Sequence, residues 1–164
     1  MKTLIVIAAI LTAGVSVTHA QQKPEVPDGW TKIDICHVIF YAPPDMKDLG
    51  MRGIDSCVAQ FANKDITLYL DYGWYGAPFN RDNSVRDFNE QTLTIGGKPA
   101  QVITYVDASH SNSGLNYNVS LYMVVKETEF GGRARPVSLM MSTIGERQKD
   151  RETALTIFRT IRFQ

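Results

Sequence analysis

The chain has 164 residues, of which 44% are hydrophobic, and it carries 17 basic and 17 acidic residues. This length is enough for a self-supporting core in one domain. Because the formal net charge is zero, no basic field attracts nucleic acid or an anionic membrane surface, and the charge balance excludes both as partners.

Residues 1–20 have the pattern of a secretory signal peptide. Lys2 gives a positive start, an apolar run extends from Leu4 to Val17, and the small residue Ala20 precedes the expected cleavage point. The apolar run is shorter than the roughly 20 residues that a membrane-spanning helix needs, although an uncleaved anchor is the alternative. We expect a mature chain that is periplasmic or secreted and not inserted in a membrane.

The mature chain is expected to begin with an exposed lead-in at residues 21–29, which is polar and contains two prolines. The next run, up to Ala42, is rich in β-branched and aromatic residues and predicts a single strand. Cys36, Val38 and Phe40 would share one face of it. The double proline that follows predicts a loop, which could contain one helical turn.

Two strands are predicted next, over residues 56–62 and 66–73. In the second, Ile66, Leu68 and Leu70 alternate with polar or aromatic residues, which indicates a half-buried strand.

Cys36 and Cys57 are the only cysteines, and in an oxidising compartment they predict one disulfide bond. Closing the loop between them would contribute about 3 kcal/mol in the chain-entropy account. Antiparallel pairing of the two cysteine-bearing strands would bring the two residues together. The alternative is a pair of reduced, buried cysteines.

The second half of the chain alternates between strand-like and turn-like stretches. Gly96-Gly97 predicts a tight hairpin. Residues 107–116 and 128–136 are predicted to be loops, and residues 146–163 an amphipathic helix. Strands are predicted at residues 88–95, 98–106, 117–127 and 137–145.

These elements predict a single α+β domain over residues 30–164. Its main feature would be a curved antiparallel sheet of about six to seven strands, with the C-terminal amphipathic helix packed on one face. Most connections are short, which favours antiparallel pairing, because parallel crossovers need a dozen residues or more.

Several stretches resemble a group of small secreted bacterial proteins of unknown role with a PsbP/Mog1-like α/β/α fold. The resemblance extends from Trp30 to Phe163, and its stretches are YAPPDMKDLGMRGIDSCVAQF, LYLDYGWYG, LTIGGKPAQV and IFRTIRF. It implies a sheet covered by helices. That fold carries no shared catalytic set, so the resemblance implies no functional residues.

The sequence offers few groups for catalysis. His37 and His110 are the histidines left after residue 20; the first fits an ordinary strand histidine, and Ser109 and Ser111 flank the second without forming a recognised triad. No metal or cofactor motif is present. The one oxygen-rich stretch, with Asp82, Asn83 and Asp87, fits a solvated loop better than a cation site.

An aromatic stretch is the best candidate for a binding site. Tyr69 and Asp71 point away from the buried face of their strand, and Trp74 and Tyr75 follow its expected end. Aromatic rings with polar tips suit contact with another molecule, but they also serve to cover a sheet, and the residues alone leave both readings open.

We therefore expect a non-enzymatic exported domain that binds a protein or another envelope component through Tyr69, Asp71, Trp74 and Tyr75. One alternative is a small hydrolase or glycan-active enzyme that uses Asp55 or Asp71, with His37 as a further candidate group. Another is an inhibitory module that places residues 107–116 in the cleft of a partner. The sequence indicates no cofactor and no oligomeric state.

Overall fold

The computed structural model describes residues 25–80, 85–107 and 115–164, so the predicted signal peptide lies outside the described residues. Ten strands and one helix are present in this part of the chain. The strands are β1 (Thr31–Ile35), β2 (Val38–Ala42), β3 (Lys47–Asp48), β4 (Cys57–Ala62), β5 (Ile66–Gly73), β6 (Arg86–Ile95), β7 (Lys98–Asp107), β8 (Asn116–Phe130), β9 (Arg133–Gly145) and β10 (Arg162–Phe163), and the helix is α1 (Gln148–Arg159).

The main sheet has seven strands in the order β3-β4-β5-β9-β8-β7-β6, and all its neighbours are antiparallel. This confirms the predicted antiparallel α+β architecture. The Gly96-Gly97 hairpin between β6 and β7 is also confirmed, and both glycines have the positive φ angles that such a turn requires. Strand β9, which comes late in the chain, lies between β5 and β8 in this sheet.

One face of the main sheet, the inner face, carries the hydrophobic core. On β5 the buried side chains are Ile66, Leu68 and Leu70, as their alternation predicts. Helix α1 packs over this face against β8, β9 and β2. Its apolar stripe, which includes Ile157 and Phe158, is buried.

The C-terminal helix is shorter than predicted. It begins after Arg147, where Asp150 completes a capping box, and it ends at Arg159. Ile161 is buried beyond the helix, and the following two residues form β10 rather than a further turn. None of the helices in the described part of the chain is long and apolar enough to cross a membrane.

A second, three-stranded sheet in the order β1-β2-β10 was not predicted. The expected single strand up to Ala42 is wrong, because Cys36 and His37 form a turn that folds β1 back on β2. Both residues have left-handed φ angles, 56° and 62°. This small sheet covers part of the inner face, where the Phe40 and Phe61 rings meet edge to face with 5.8 Å between centroids.

The predicted loop at residues 128–136 is also wrong. Strands β8 and β9 stay paired through it and reverse at Gly131-Gly132, forming a two-stranded arm that extends beyond β5 and β7. The expected helical turn near Pro44 is a tight turn instead, closed by the Met46 amide donating to the Pro43 carbonyl at 3.1 Å. It leads into the short edge strand β3.

Candidate functional site

The candidate site lies where β5 ends, on the outer face of the main sheet, opposite the helix. Because β5 alternates regularly, burial of Leu68 and Leu70 on the inner face sends Tyr69 and Asp71 to the outer face. Trp74 and Tyr75 come directly after the last β5 residue, Gly73. We call Tyr69, Asp71, Trp74 and Tyr75 the aromatic patch.

All three rings of the aromatic patch reach solvent. The exposed fraction is 37% for Tyr69, 38% for Trp74 and 66% for Tyr75. Each ring therefore packs partly against the fold and presents the rest of its surface outward. Single exposed apolar residues are common on proteins, but three partly exposed rings within seven residues form a local feature.

Asp71 lies two residues after Tyr69 on the same face of β5, opposite Val58 of β4 and Met140 of β9. A Cβ atom added to Gly73 would lie 3.7 Å from Asp71 Oδ1, so the carboxylate leans along the strand toward the end where Trp74 follows. Within the described ranges, the Asp71 side chain forms no hydrogen bond or ion pair. The carboxylate is half-buried and remains available to a ligand.

The position of Trp74 and Tyr75 is set by a segment that we call the strap, residues 74–80, which crosses the outer face of the sheet. Gly76 lies against β9, where a Cβ atom on it would come within 2.2 Å of Ser138 Oγ. Farther on, the Phe79 amide donates to Gln101 Oε1 at 2.8 Å, and Gln101 Nε2 donates back to the Phe79 carbonyl at 3.0 Å. The strap is thus fixed to β9 and to β7.

Gly76, Ser138 and Gln101 are positioning residues that the sequence analysis missed. Gln101 also donates to Glu90 Oε1 at 2.7 Å, which ties its amide to β6. Ser138 Oγ donates to the Gly73 carbonyl at 3.2 Å, at the junction of β5 and the strap. No local pattern marks these residues, because each acts on a segment that lies far away in the sequence.

Beside the patch is the edge loop, residues 49–56, which connects β3 to β4. Its start is held to β4 by the Leu49 amide, which donates to the Gln60 carbonyl at 2.8 Å. Its end touches β5, since a Cβ atom on Gly73 would lie 2.7 Å from Ser56 Cβ. Between these points Met51 and Ile54 are exposed. The edge loop and the aromatic patch therefore occupy the same end of the sheet.

Asp55, the other carboxylate of the glycosidase alternative, lies in the edge loop and is exposed. It precedes Cys57, which pairs with Tyr72, so Asp55 and Asp71 approach the same end of the sheet. The cavity described below is at another place, lined by the β4–β5 turn and the start of α1, and it includes neither Asp55 nor Asp71. The arrangement brings one exposed and one half-buried carboxylate to this end of the sheet.

The remaining candidates are placed as follows. His37 is in the β1–β2 turn, not mid-strand, and its ring lies 5.9 Å from that of Tyr72. The predicted disulfide between Cys36 and Cys57 is confirmed, with Cα atoms 5.6 Å apart.

Asp87 has a left-handed φ of 52° at the start of β6. His110, Ser109, Ser111, Asp82 and Asn83 lie outside the described residues, as does most of the 107–116 loop.

A small polar cavity of about 150 Å³ lies at the start of α1, lined by residues that include Asp45, Asn63 and Lys149. At its margin Arg147 donates to Asp150 Oδ1 at 3.1 Å and also contacts Asp65. The hydrogen bonding of its guanidinium to the Asp150 carboxylate contributes most to raising the pKa of Arg147. The described residues include no group of three or more His, Cys, Asp or Glu side chains placed to hold a metal ion.

This network accounts for the charges around the cavity. Burial has the largest single effect on the pKa of Asp65 and raises it, but the hydrogen bond and charge of Arg147, together with Lys64 and Lys149, outweigh that effect and lower the pKa below its ordinary value. Asp150 is buried and caps the helix. Arg147 compensates the charge of Asp150, so we assign the ion pairs beside the cavity a structural role.

The outer-face patch therefore combines exposed rings, an unpaired carboxylate and a fixed backbone. No family model matches this chain, and no curated protein matches it.

Proposed function

We propose that this chain is an exported, non-enzymatic protein that binds a protein or another envelope component through the aromatic patch. The observation that carries the proposal is the exposure of Tyr69, Trp74 and Tyr75 on a backbone fixed by the strap. Aromatic residues that are partly packed and partly exposed are the common anchors of binding surfaces, because they contribute much contact area for little conformational entropy.

Export is part of the proposal. The opening residues have the pattern of a signal peptide. The Cys36–Cys57 disulfide is typical of proteins from oxidising compartments and fits an extracellular location. A periplasmic or secreted protein with this bond would meet its partner outside the cytoplasm.

A PsbP/Mog1-like relationship belongs to the proposal as well. An antiparallel sheet with a terminal helix on one face supports it. In the described residues, the opposite face is crossed by the strap rather than by a second layer of helices. The middle of this outer face is covered, since Ile103, Ser120 and Ser138 are buried there, whereas the aromatic patch at the β5 side remains partly exposed.

The proposal is tested by capture from the native envelope fraction with the purified mature chain as bait. Trp74→Ala and Tyr75→Ala should each weaken capture of the same partner at least tenfold, which corresponds to about 1.4 kcal/mol. Tyr75→Ala should melt close to the wild type, because its side chain is mostly exposed, and Trp74→Ala should melt only slightly lower, because its ring packs partly against the fold.

The matched control is Ile144→Ala. Ile144 is 40% exposed, close to the value for Trp74, and it lies on the outer face opposite Thr67, at the other end of β5. It should leave capture unchanged. If the patch variants bind normally, or if they melt much lower while the control does not, the rings serve packing and the proposal is wrong.

A further inference from the structure

The charge of the surface around the aromatic patch indicates what kind of partner it fits. Asp55 and Asp71 both approach this end of the sheet. The basic residue of the edge loop, Arg52, contacts other groups. Its Nη2 atom lies 3.9 Å from Asp48 Oδ2, and its Nη1 atom donates to the Met51 carbonyl at 2.6 Å. In the described part of the chain, no ion pair neutralises Asp55 or Asp71.

The rings add a second attraction for a positive charge. The face of an aromatic ring carries negative electrostatic potential, and a cation within about 6 Å of the ring centre is stabilised by it, most strongly by tryptophan and tyrosine. This protein already contains one such contact, between Arg151 and the Tyr117 ring, where the separation is 5.6 Å. The patch presents three partly exposed rings, and the Asp71 carboxylate leans toward Gly73, the residue before Trp74.

We propose that the aromatic patch takes a cationic side chain, arginine or lysine, from an exposed segment of a partner protein. The charged head would pair with Asp71 and lie against the rings. Its methylene stem would pack on the apolar side chains of the edge loop, Met51 and Ile54, which are exposed. This inference rests on the proposed function and names the partner chemistry at the same site.

Other ligand classes fit this surface less well. A wholly apolar partner would bury the Asp71 carboxylate without a counter-charge, which is costly. An anionic ligand would meet two like charges. A neutral sugar could stack on the rings and donate hydroxyls to Asp71, but it would leave both negative charges uncompensated. The partner that complements rings and charge together is a basic peptide segment.

The test is an NMR titration of the mature chain with two blocked peptides. One has the sequence Leu-Arg-Leu, and in the other citrulline replaces arginine, which keeps the shape and removes the charge. The arginine peptide should shift the amide signals of residues 69–75, and the citrulline peptide should bind at least tenfold more weakly. Binding of the arginine peptide should weaken as salt is raised, because its charge is partly screened.

Variants separate the charge from the rings. Asp71→Asn preserves shape and should reduce affinity for the arginine peptide about tenfold while leaving the citrulline peptide unaffected. Asp28→Asn makes the same change in net charge in the exposed lead-in, before β1 and at the end of that strand away from the Cys36 turn, and should have no effect. Melting curves of both variants check that the fold is intact.

The results also separate this inference from the proposed function. If capture of the native partner depends on Trp74 but not on Asp71 or on salt, the patch binds and the inference is wrong. Equal binding of the two peptides, no shift with either at millimolar concentration, or shifts with N,N′-diacetylchitobiose but not with the arginine peptide would also overturn it. The sugar result would identify a glycan surface instead.

Discussion

Cys36 is bonded to Cys57, and the bond joins the turn of the small sheet to the first residue of β4 in the main sheet. It therefore links two sheets rather than two neighbouring strands of one sheet. The same turn is held by two other contacts. The Gln164 amide donates to the His37 carbonyl at 3.2 Å, and the His37 ring lies against Tyr72.

Removing this bond should destabilise the protein by about 3 kcal/mol, because it closes a loop of moderate length in the unfolded chain. We expect the Cys36→Ser/Cys57→Ser double variant to show this loss in urea unfolding, and reduction of the wild type to match it. Cys57 is exposed, so a small thiol reagent should reach the bond in the folded protein. Equal unfolding midpoints with and without reductant would contradict this prediction.

His37→Gly should stabilise the protein by up to about 1 kcal/mol. A non-glycine residue in the left-handed region costs on the order of 1 kcal/mol or more, and the second position of this turn type strongly prefers glycine. The lost contact with Tyr72 and the greater freedom of glycine in the unfolded chain offset part of the gain. Thermal melting measures the net effect.

The control for this substitution is Lys32→Gly. Lys32 lies in β1 with ordinary strand geometry, and its side chain makes only an exposed ion pair with Asp34 at 3.0 Å. Glycine there should destabilise, by about 0.5 to 1 kcal/mol. If the two substitutions lower the melting temperature equally, the turn is not strained.

Gly76→Ala should destabilise the protein by about 1 to 3 kcal/mol, because the new methyl group overlaps Ser138 Oγ and the strap has to lift from β9. Adding Ser138→Ala removes the closest atom, so the double variant should be more stable than the sum of the single changes predicts. Gly76→Ala should also weaken partner capture, since it shifts the backbone that carries Trp74 and Tyr75. Additive stabilities in the double-variant cycle would contradict the packing described for the strap.

Asp65 should contribute to stability in a pH-dependent way. Since its pKa in the folded protein lies below the ordinary value of 3.8, its stabilising effect is fully present above 3.8 and is lost as the pH falls through the lower, folded value. When urea unfolding midpoints are measured at a series of pH values, Asp65→Asn should show a smaller loss of stability at low pH than the wild type. High salt should reduce the effect, because the pair with Arg147 is partly exposed. Parallel pH profiles for the two proteins would show that the pair contributes nothing.

Local patterns in the sequence predict the parts of the fold that depend on them. The alternation along β5 predicts a half-buried strand, and the glycine pair before Lys98 predicts a hairpin. Both predictions are confirmed. The apolar residues around Ile157 repeat at helical spacing, and this periodicity predicts the helix.

The rest depends on contacts between distant segments. The pair Cys36-His37 lacks the glycine, asparagine or aspartate that marks a two-residue hairpin turn, so the sequence does not indicate the left-handed angles found there. Strand β10 is two residues long and exists through its pairing with β2. The charged, exposed residues of the arm lack the alternation of a half-buried strand, so the sequence predicts a loop there. Which residues of the candidate site are exposed depends on the strap, whose anchors Ser138 and Gln101 come later in the chain.

The position of β9 in the centre of the main sheet determines when that sheet can form. Strand β5 pairs with β9 through Leu68 and Thr143, far apart in the chain, and the small sheet receives its third strand from Arg162 and Phe163. Both of these pairings join distant segments, so forming them costs loop entropy before packing compensates for it. Neither sheet can be completed during synthesis until almost the whole chain has emerged, because β5 and β2 pair with strands near its end.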